Sequence, residues 1–483
     1  MSTETPQASR PAWPSVTMQD AVAQLTDIGA PFEMETIEVC GRPLRGYVGA
    51  APHMRAIFDA SRRWRAREYI VYEGERVTFD AHWRAASALG HALRDQFGVK
   101  KGDRVAIGMR NYPEWSVCAW ATLAIGGVLV ALNAWEPGAT LADMVHSVGA
   151  KVVFADAERL DGLTGKTEPD VAILSVRCGS WPSLEALIGR PDEYQTLGGI
   201  ELPDPGIAPD DDATIFFTSG TTGKAKGAVG SHRNLATNIV NVGYRSARAA
   251  VRRGQSARSQ TVGGRRLLVP LPLFHVTGFH STLIPAAAAG NTLCLMRKWE
   301  VDVALRLMRD ERIQGMTLVP TQAIQLADHL EVTPVDFPLV DTVGYGGAAA
   351  PETLAARVRG VFPNAFGGQG YGATETSSQL ASNSAEDQLL RPTSVGALVP
   401  ACDARILDEA GDPVAQGELG ELWVRGPNVV RGYWNDVAAT NEAFVDGWYR
   451  TGDIVRFDDE GFLYVVDRLQ GYAHTGRRKH SLH

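Results

Sequence analysis

From about residue 52 the chain alternates between two hydrophobic periods. Apolar residues three and four apart in "MRAIFDASRRWRA" (54–66) and "DAHWRAASALGHALRDQF" (80–97) predict amphipathic helices, the second opened by Asp80 as N-cap. "YIVYEGERVTF" (69–79) alternates about a Glu73–Gly74 turn and predicts a hairpin. "DRVAIGM" (103–109) and "KVVFADA" (151–157) predict short buried strands. The longest uncharged run, "VCAWATLAIGGVLVALNAW" (117–135), approaches membrane-spanning length. Gly126–Gly127 divides it into a helical half and a β-branched half, so it predicts a buried helix feeding a buried strand. Strand–helix alternation of this kind predicts an α/β fold with mostly parallel, helix-covered sheets.

The pattern weakens elsewhere. Residues 1–50 read as an irregular leader, polar and proline-rich at the start, with no apolar signal core. Residues 200–212, "IELPDPGIAPDDD", read as a linker. Residues 244–266, rich in Arg, Ser and Gly, read as a solvated helix end and loop; an RNA-binding patch is the alternative, but aromatic interleaving stops after Tyr244. Residues 51–394 form the expected α/β core. From 395 to 469, short strands and turns such as "GELGELWVRGPNVVRGYW" predict a β-rich subdomain of the same domain. The last stretch, 470–483, is basic and has no apolar period.

Composition narrows the classes of function. The chain has 483 residues, enough for two or three compact units, and an ordinary globular balance of 45% hydrophobic and 21% charged residues. A net charge of −8 argues against nonspecific nucleic-acid binding, which needs a positive surface. The five cysteines are scattered with no C-x-x-C pair, which supports neither a zinc site nor a dithiol motif and fits a reducing, cytoplasmic setting.

The most specific chemistry lies in "TIFFTSGTTGKAKGAVGSH" (214–232). An apolar strand runs into Thr218, Ser219, Gly220, Thr221, Thr222, Gly223, Lys224, Ala225, Lys226 and Gly227. The glycines let backbone N–H groups approach an anion, while hydroxyls and two lysines add donors and positive charge. This predicts a phosphate cradle; a flexible surface loop is the alternative, opposed by consecutive Ser and Thr after a buried strand. It is not a Walker A loop, because Ala225 follows Lys224 where that motif needs Ser or Thr. "GKT" at 165–167 fails too, since Leu160 stands where the first glycine belongs.

"TSGTTGKAKG" resembles the phosphate loop of the adenylate-forming (AMP-dependent synthetase and ligase) superfamily, with Ala225 where the family has proline. Four further motifs follow in the family's order. "PLFHVTGF" (272–279) resembles the segment with an aromatic or histidine gate at the acyl site, here His275. "GYGGAAAP" (344–351) resembles the adenine-binding turn, implicating Gly347, Ala348 and Ala349. "GQGYGATETS" (368–377) resembles the loop with Tyr371 and Gly372, a phosphate-contacting Thr374 and a magnesium-holding Glu375. "GWYRTGD" (447–453) resembles the motif whose Asp453 binds the ribose hydroxyls, and Arg468 matches the second ribose contact. The resemblance covers about 50–469 and implies the superfamily's large N-terminal domain.

The resemblance also implies a reaction. A carboxylate, ATP and CoA would give acyl-CoA, AMP and pyrophosphate, with Mg²⁺ on Glu375. A hard Mg²⁺ favours carboxylate and phosphate oxygens, so one acid beside a phosphate loop is adequate. Amino-acid-activating relatives carry Asp where this chain has His275, which points away from amino acids. "LVPLPLFHVTGFHSTL" and "VGYGGAAA" would line an apolar tunnel, and early stretches such as "NYPEWSVCAW" resemble bacterial fatty-acid–CoA ligases. The expected substrate is a fatty or aryl carboxylate.

Family members continue past Arg468 with a hinge and a C-terminal domain that supplies the adenylating lysine and the CoA surface. Here the hinge position holds Gln470. Back-translated and shifted by one base, the tail permits Lys-Asp-Met-Leu-Ile-Arg-Gly-Gly-Glu-Asn-Ile, which resembles the family's hinge and its following glycine turn. The expectation is a frameshift after Leu469, a missing C-terminal domain and impaired thioester formation. The alternative is a non-catalytic ATP- and acyl-binding protein.

Overall fold

The computed structural model describes residues 13–179, 182–218, 225–257 and 263–469. Two sheets organise them. The six-stranded sheet runs in the order Lys226–Ser231, Asp212–Thr218, Val128–Ala131, Arg104–Gly108, Ala150–Asp156, Ala172–Val176. All its pairings are parallel except the first, where Lys226–Ser231 folds back on Asp212–Thr218.

The fourteen-stranded sheet has a parallel centre: Glu68–Tyr72, Thr292–Leu295, Arg266–Val269, Gly315–Leu318, Thr342–Gly346 and Phe366–Tyr371. Beyond Phe366–Tyr371 the pairing turns antiparallel, through Ala381–Ser384, Gly396–Leu398, Phe462–Arg468, Trp448–Phe457, Gly420–Arg425 and Asp403–Leu407. The β-rich stretch after 395 therefore extends the large sheet. Ligands in open α/β sheets gather beyond the carboxyl ends of parallel strands, which directs attention to the segment after Tyr371.

The uncharged run behaves as its pattern predicts. Pro113–Ala124 is a helix buried all round, Gly126 turns the chain at φ 75, and Val128–Ala131 is a fully buried strand. Trp115 and Trp120 on that helix join Phe58, Trp83, Phe216 and Phe279 in the largest core cluster. The hairpin at 69–79 also forms, with Glu73 and Gly74 both at positive φ in its turn.

Several expectations need correction. The helix Phe79–Asp95 is capped by Thr78, whose Oγ1 accepts from the Ala81 N–H at 3.2 Å, and Asp80 lies inside the first turn. Residues 18–47 are not irregular. Met18–Thr26 is a helix whose Ala21 and Leu25 pack on Tyr244, Ala247 and Val251, and Met34–Val39 pairs with Arg42–Tyr47. Two helical turns are too short to show a period, and the buried face is made by distant residues, the partner helix for Ala21 and Leu25 and Ala397 with Phe462 for Met18. The basic stretch is likewise no solvated helix end. The helix His232–Arg252 carries Arg248 and Arg252 into the interior, where Arg252 forms a two-pronged ion pair with Asp387 at 2.8 and 2.9 Å. The linker at 200–212 joins two strands of one sheet and is held by the Arg55 guanidinium on the Leu202 carbonyl at 2.9 Å. The tail from Gln470 to His483 lies outside the described residues.

Candidate active site

The strand Asp212–Thr218 leaves the core at Thr218, and the chain returns at Lys226, directly paired with it. Thr218 Oγ1 donates to the Lys226 carbonyl at 3.4 Å. The cradle residues Ser219, Gly220, Thr221, Thr222, Gly223 and Lys224 lie outside the described residues. Gly227 is fixed by its carbonyl, which accepts from the Trp434 N–H at 2.8 Å. A short stretch around 430–434 thus runs beside the returning strand: Val229 N–H donates to the Gly432 carbonyl at 3.0 Å, and Ala228 bridges Tyr433.

The same stretch reaches Glu375. The Val430 N–H donates to the Glu375 carbonyl at 2.9 Å, and the Tyr433 hydroxyl donates to Glu375 Oε1 at 2.7 Å. Glu375 is 8% exposed, and its Oε2 has no partner among the described residues. The Lys226 ammonium lies 5.2 Å from the Tyr433 ring centroid, within cation–π range. Hairpin cation and acid therefore meet on one tyrosine. Burial, and then the Glu375 charge, pushes the Tyr433 phenol far above its ordinary range and keeps it a donor.

Glu375 sits in the tight turn Thr374–Thr376 that follows the strand Phe366–Tyr371. The turn is closed by Thr376 Oγ1, which accepts from the Ala373 N–H at 2.9 Å, and Ser377 and Ser378 follow at positive φ. Gly372 makes this possible: a Cβ there would lie 1.5 Å from the Ser378 carbonyl oxygen.

Tyr371, at the start of this loop, faces the second acid. Its hydroxyl donates to Asp453 Oδ2 at 2.5 Å, while Arg468 Nε lies 3.0 Å from Asp453 Oδ1. The antiparallel register pairs Asp453 with Arg468 directly, which explains their meeting. Asp453 is 5% exposed, whereas the Arg468 side chain is 70% exposed. Burial, and then the Asp453 charge, holds the Tyr371 phenol well above its usual range. A carboxylate offers about four lone pairs, so two remain for a ribose diol. Gly346 pairs with Gly370, so Gly347, Ala348 and Ala349 emerge beside Tyr371 and Gly372.

His275 stands at the head of a short helix, Val276–Gly278, with its ring 5.5 Å from Trp135 and 4.8 Å from Phe274. Burial lowers its pKa, so the ring is neutral at neutral pH. Further along, His280 is buried against Phe216 and brought down to about 3 by that burial. The expected apolar wall is therefore mixed. Ser281 Oγ and Ser378 Oγ share a hydrogen bond of 2.7 Å, and Asn238 joins the two segments by donating to the His280 carbonyl at 2.7 Å and accepting from the Gln379 N–H at 3.2 Å.

The structure thus gathers Thr218, Lys226, Gly227, Glu375 and Thr374 at one end and Tyr371, Asp453, Arg468 and residues 347–349 at the other, with the His275 segment tied to the loop between them. Tyr433 and Ser378 are absent from the motif reading. "RGYW" carries no local signal beyond its β-rich surroundings.

A divalent cation fits the first end. Among the described residues no group of three or more His, Cys, Asp or Glu could hold a metal unaided. Glu375 offers one free oxygen, so a cation there completes its shell from phosphate and water, the habit of Mg²⁺. When bound, that cation supplies positive charge to the phosphoryl oxygens.

Fold and site together define an adenylate-forming ligase. The AMP-binding enzyme family model matches residues 57–434, and the chain belongs to that family. It is similar to the 4-coumarate–CoA ligase-like 4 of Oryza sativa subsp. japonica, 30% identical over 86% of this chain and 74% of that protein. It is similar to the feruloyl-CoA synthase of Amycolatopsis sp, 31% identical over 84% of this chain and 76% of that one. The crystal structure of the N-terminal domain of FACL13 from Mycobacterium tuberculosis superposes with a TM-score of 0.75 at 26% identity, over 86% of this chain and all of that one. The protein is an AMP-forming acid–thiol ligase by family, a class that uses ATP, Mg²⁺ and CoA. No helix among the described residues is long and apolar enough to cross a membrane.

Proposed function

We propose that this protein converts an aryl or fatty carboxylate, with ATP and CoA, to the acyl-CoA, AMP and pyrophosphate, and that aryl acids are its better substrates. One observation carries the reading: the loop 371–379 links the three segments given the ribose, phosphate and acyl roles. Tyr371 reaches the ribose acid, Glu375 reaches the phosphate hairpin through Tyr433, and Ser378 reaches the acyl segment.

In this reading the substrate carboxylate attacks the α-phosphorus of ATP, and pyrophosphate leaves. The CoA thiol then attacks the acyl carbon, and AMP leaves. Thr218, Ser219, Thr221, Thr222, Lys224, Lys226 and the glycines Gly220, Gly223 and Gly227 grip the phosphates, with Thr374 as a further donor. Preorganised donors aimed at developing charge are the main source of acceleration in such transfers. Asp453 and Arg468 hold the ribose, and Gly347–Ala349 with Tyr371 and Gly372 flank the base. Residues 51–394 and 395–469 work as one domain.

The preference for aryl acids is supported by the ring cluster of Trp135, Phe274 and His275 and by the Ser281–Ser378 pair, whose hydroxyls suit a polar ring substituent. Relatives named as coumarate and feruloyl ligases agree with it. Five free cysteines fit a reducing, cytoplasmic setting.

The test is acid-dependent pyrophosphate release with ATP and Mg²⁺ over a panel of hydroxycinnamates, arylacetates and straight-chain acids, with acyl-AMP identified by mass spectrometry. Adenylates from aryl acids above all others are expected. Adenylates from straight-chain acids alone overturn the preference, and nucleotide binding with no adenylate from any acid points to a non-catalytic binding protein.

A further inference from the structure

Tyr433 is held from several sides. Its N–H donates to Thr440 Oγ1 at 2.9 Å, its neighbours Gly432 and Trp434 are bonded to the returning strand, and its ring packs edge-on against Phe444 at 5.7 Å. The hydroxyl thus has one fixed aim, Glu375 Oε1 at 2.7 Å. Glu375 in turn is buried, its backbone is tied to Val430, and its Oε2 is free among the described residues. One oxygen of this carboxylate is occupied and oriented; the other is open.

We propose that Tyr433 sets the cation preference of the site, by weakening Glu375 Oε1 as a coordinating oxygen and so favouring Mg²⁺, which takes single carboxylate oxygens, over Ca²⁺. The proposal rests on the nucleotide reading above. Mg²⁺ takes six ligands at about 2.0–2.1 Å in near-ideal octahedral geometry and accepts single carboxylate oxygens; Ca²⁺ takes six to eight at about 2.3–2.6 Å and readily uses both oxygens of one carboxylate. A two-oxygen grip would make Oε1 serve the Tyr433 proton and the cation together, which weakens that second contact, and the backbone bonds on both sides of Tyr433 oppose any retreat of that hydroxyl. The Lys226 ammonium over the same ring adds a second restraint, because it ties the phosphate hairpin to the residue that orients the acid. Tyr433 is a positioning residue here, acting through Glu375.

Tyr433→Phe keeps the ring and its contacts with Phe444 and Lys226 and removes only the donor. The experiment is titration calorimetry of wild type and variant with AMP in metal-free buffer, then with ATP in Mg²⁺ and in Ca²⁺, alongside thermal melting. AMP affinity without metal is expected to change less than ATP affinity with it, and melting temperature to fall modestly. The Mg²⁺-over-Ca²⁺ preference for ATP is expected to fall by about tenfold, the scale of one hydrogen bond to a charged group. Glu375→Asp, which draws the carboxylate out of reach of the hydroxyl with Tyr433 intact, is expected to relax the preference too, and this reading stands even if the phenylalanine variant fails to fold. An unchanged preference in both variants overturns the proposal and leaves the nucleotide site standing. A wild type that binds ATP with neither cation, and AMP not at all, overturns the nucleotide reading and the proposal with it.

Discussion

The Tyr371 hydroxyl donates a 2.5 Å hydrogen bond to Asp453 Oδ2, joining the end of a central parallel strand to the antiparallel hairpin that carries Asp453. Removing that donor leaves a buried carboxylate short of one partner and free to turn. Hydrogen bonds to charged groups are worth about 1.5–3 kcal/mol. Tyr371→Phe should weaken AMP binding by about tenfold or more, and melting temperature should fall as well. Equilibrium titration with AMP checks this, and an unaltered affinity rejects it.

Gly372→Ala is expected to be severe. Its Cβ would meet the Ser378 carbonyl at 1.5 Å, and a backbone oxygen cannot yield as a side chain can. The loop bearing Tyr371, Glu375 and Ser378 would shift as a unit. Nucleotide affinity should fall by more than the Tyr371→Phe loss of about tenfold, and melting temperature should fall with it. Calorimetry and thermal melting of the purified variant read both.

Much of the fold was legible in the sequence because it depends on local pattern. Gly126–Gly127 broke an apolar run into helix and strand, and Glu73–Gly74 turned a hairpin, with no help from distant residues. The errors occurred where a partner elsewhere decides. Arginine in a helix reads as surface, yet Arg252 is buried because Asp387, far along the chain, receives it. Met18–Thr26 gains its buried face from distant residues, Ala21 and Leu25 against the helix that contains Tyr244 and Met18 against Ala397 and Phe462. In the site, motif residues were nameable because their spacing is local, whereas Tyr433 acts on Glu375 across 58 positions and has no motif of its own. Asp80 has the side chain of an N-cap, but Thr78 has the extended backbone a cap requires and its hydroxyl takes that place.

The Arg252–Asp387 pair fastens the long helix to the segment after the site loop, with side-chain exposures of 1% and 7%. Asp387→Ala leaves a buried guanidinium uncompensated and should cost about 3–5 kcal/mol. The double change Arg252→Met with Asp387→Leu should recover most of that loss. Urea unfolding of the two variants separates them; equal stability would contradict the assignment.

Three buried histidines set an acid limit. Burial brings His82 and His280 down to about 3 and His232 to about 4. Each folded value lies below the unfolded value near 6.5, about which the unfolded chain binds more protons. Their contribution to stability is complete above about pH 6.5 and is lost as pH falls toward about 4 and 3. Melting temperature should therefore drop between pH 7 and pH 5, and His82→Asn should lessen that slope. A flat profile in the wild type contradicts these burials.

The central claim is that one cleft holds a nucleotide between Asp453 and Glu375 with an acid alongside. Titration calorimetry with a nonhydrolysable aryl-sulfamoyl adenosine tests it most directly. One site per chain is expected, with affinity reduced by about tenfold or more in Asp453→Ala. No binding by the wild type, or equal binding by the two proteins, would contradict it.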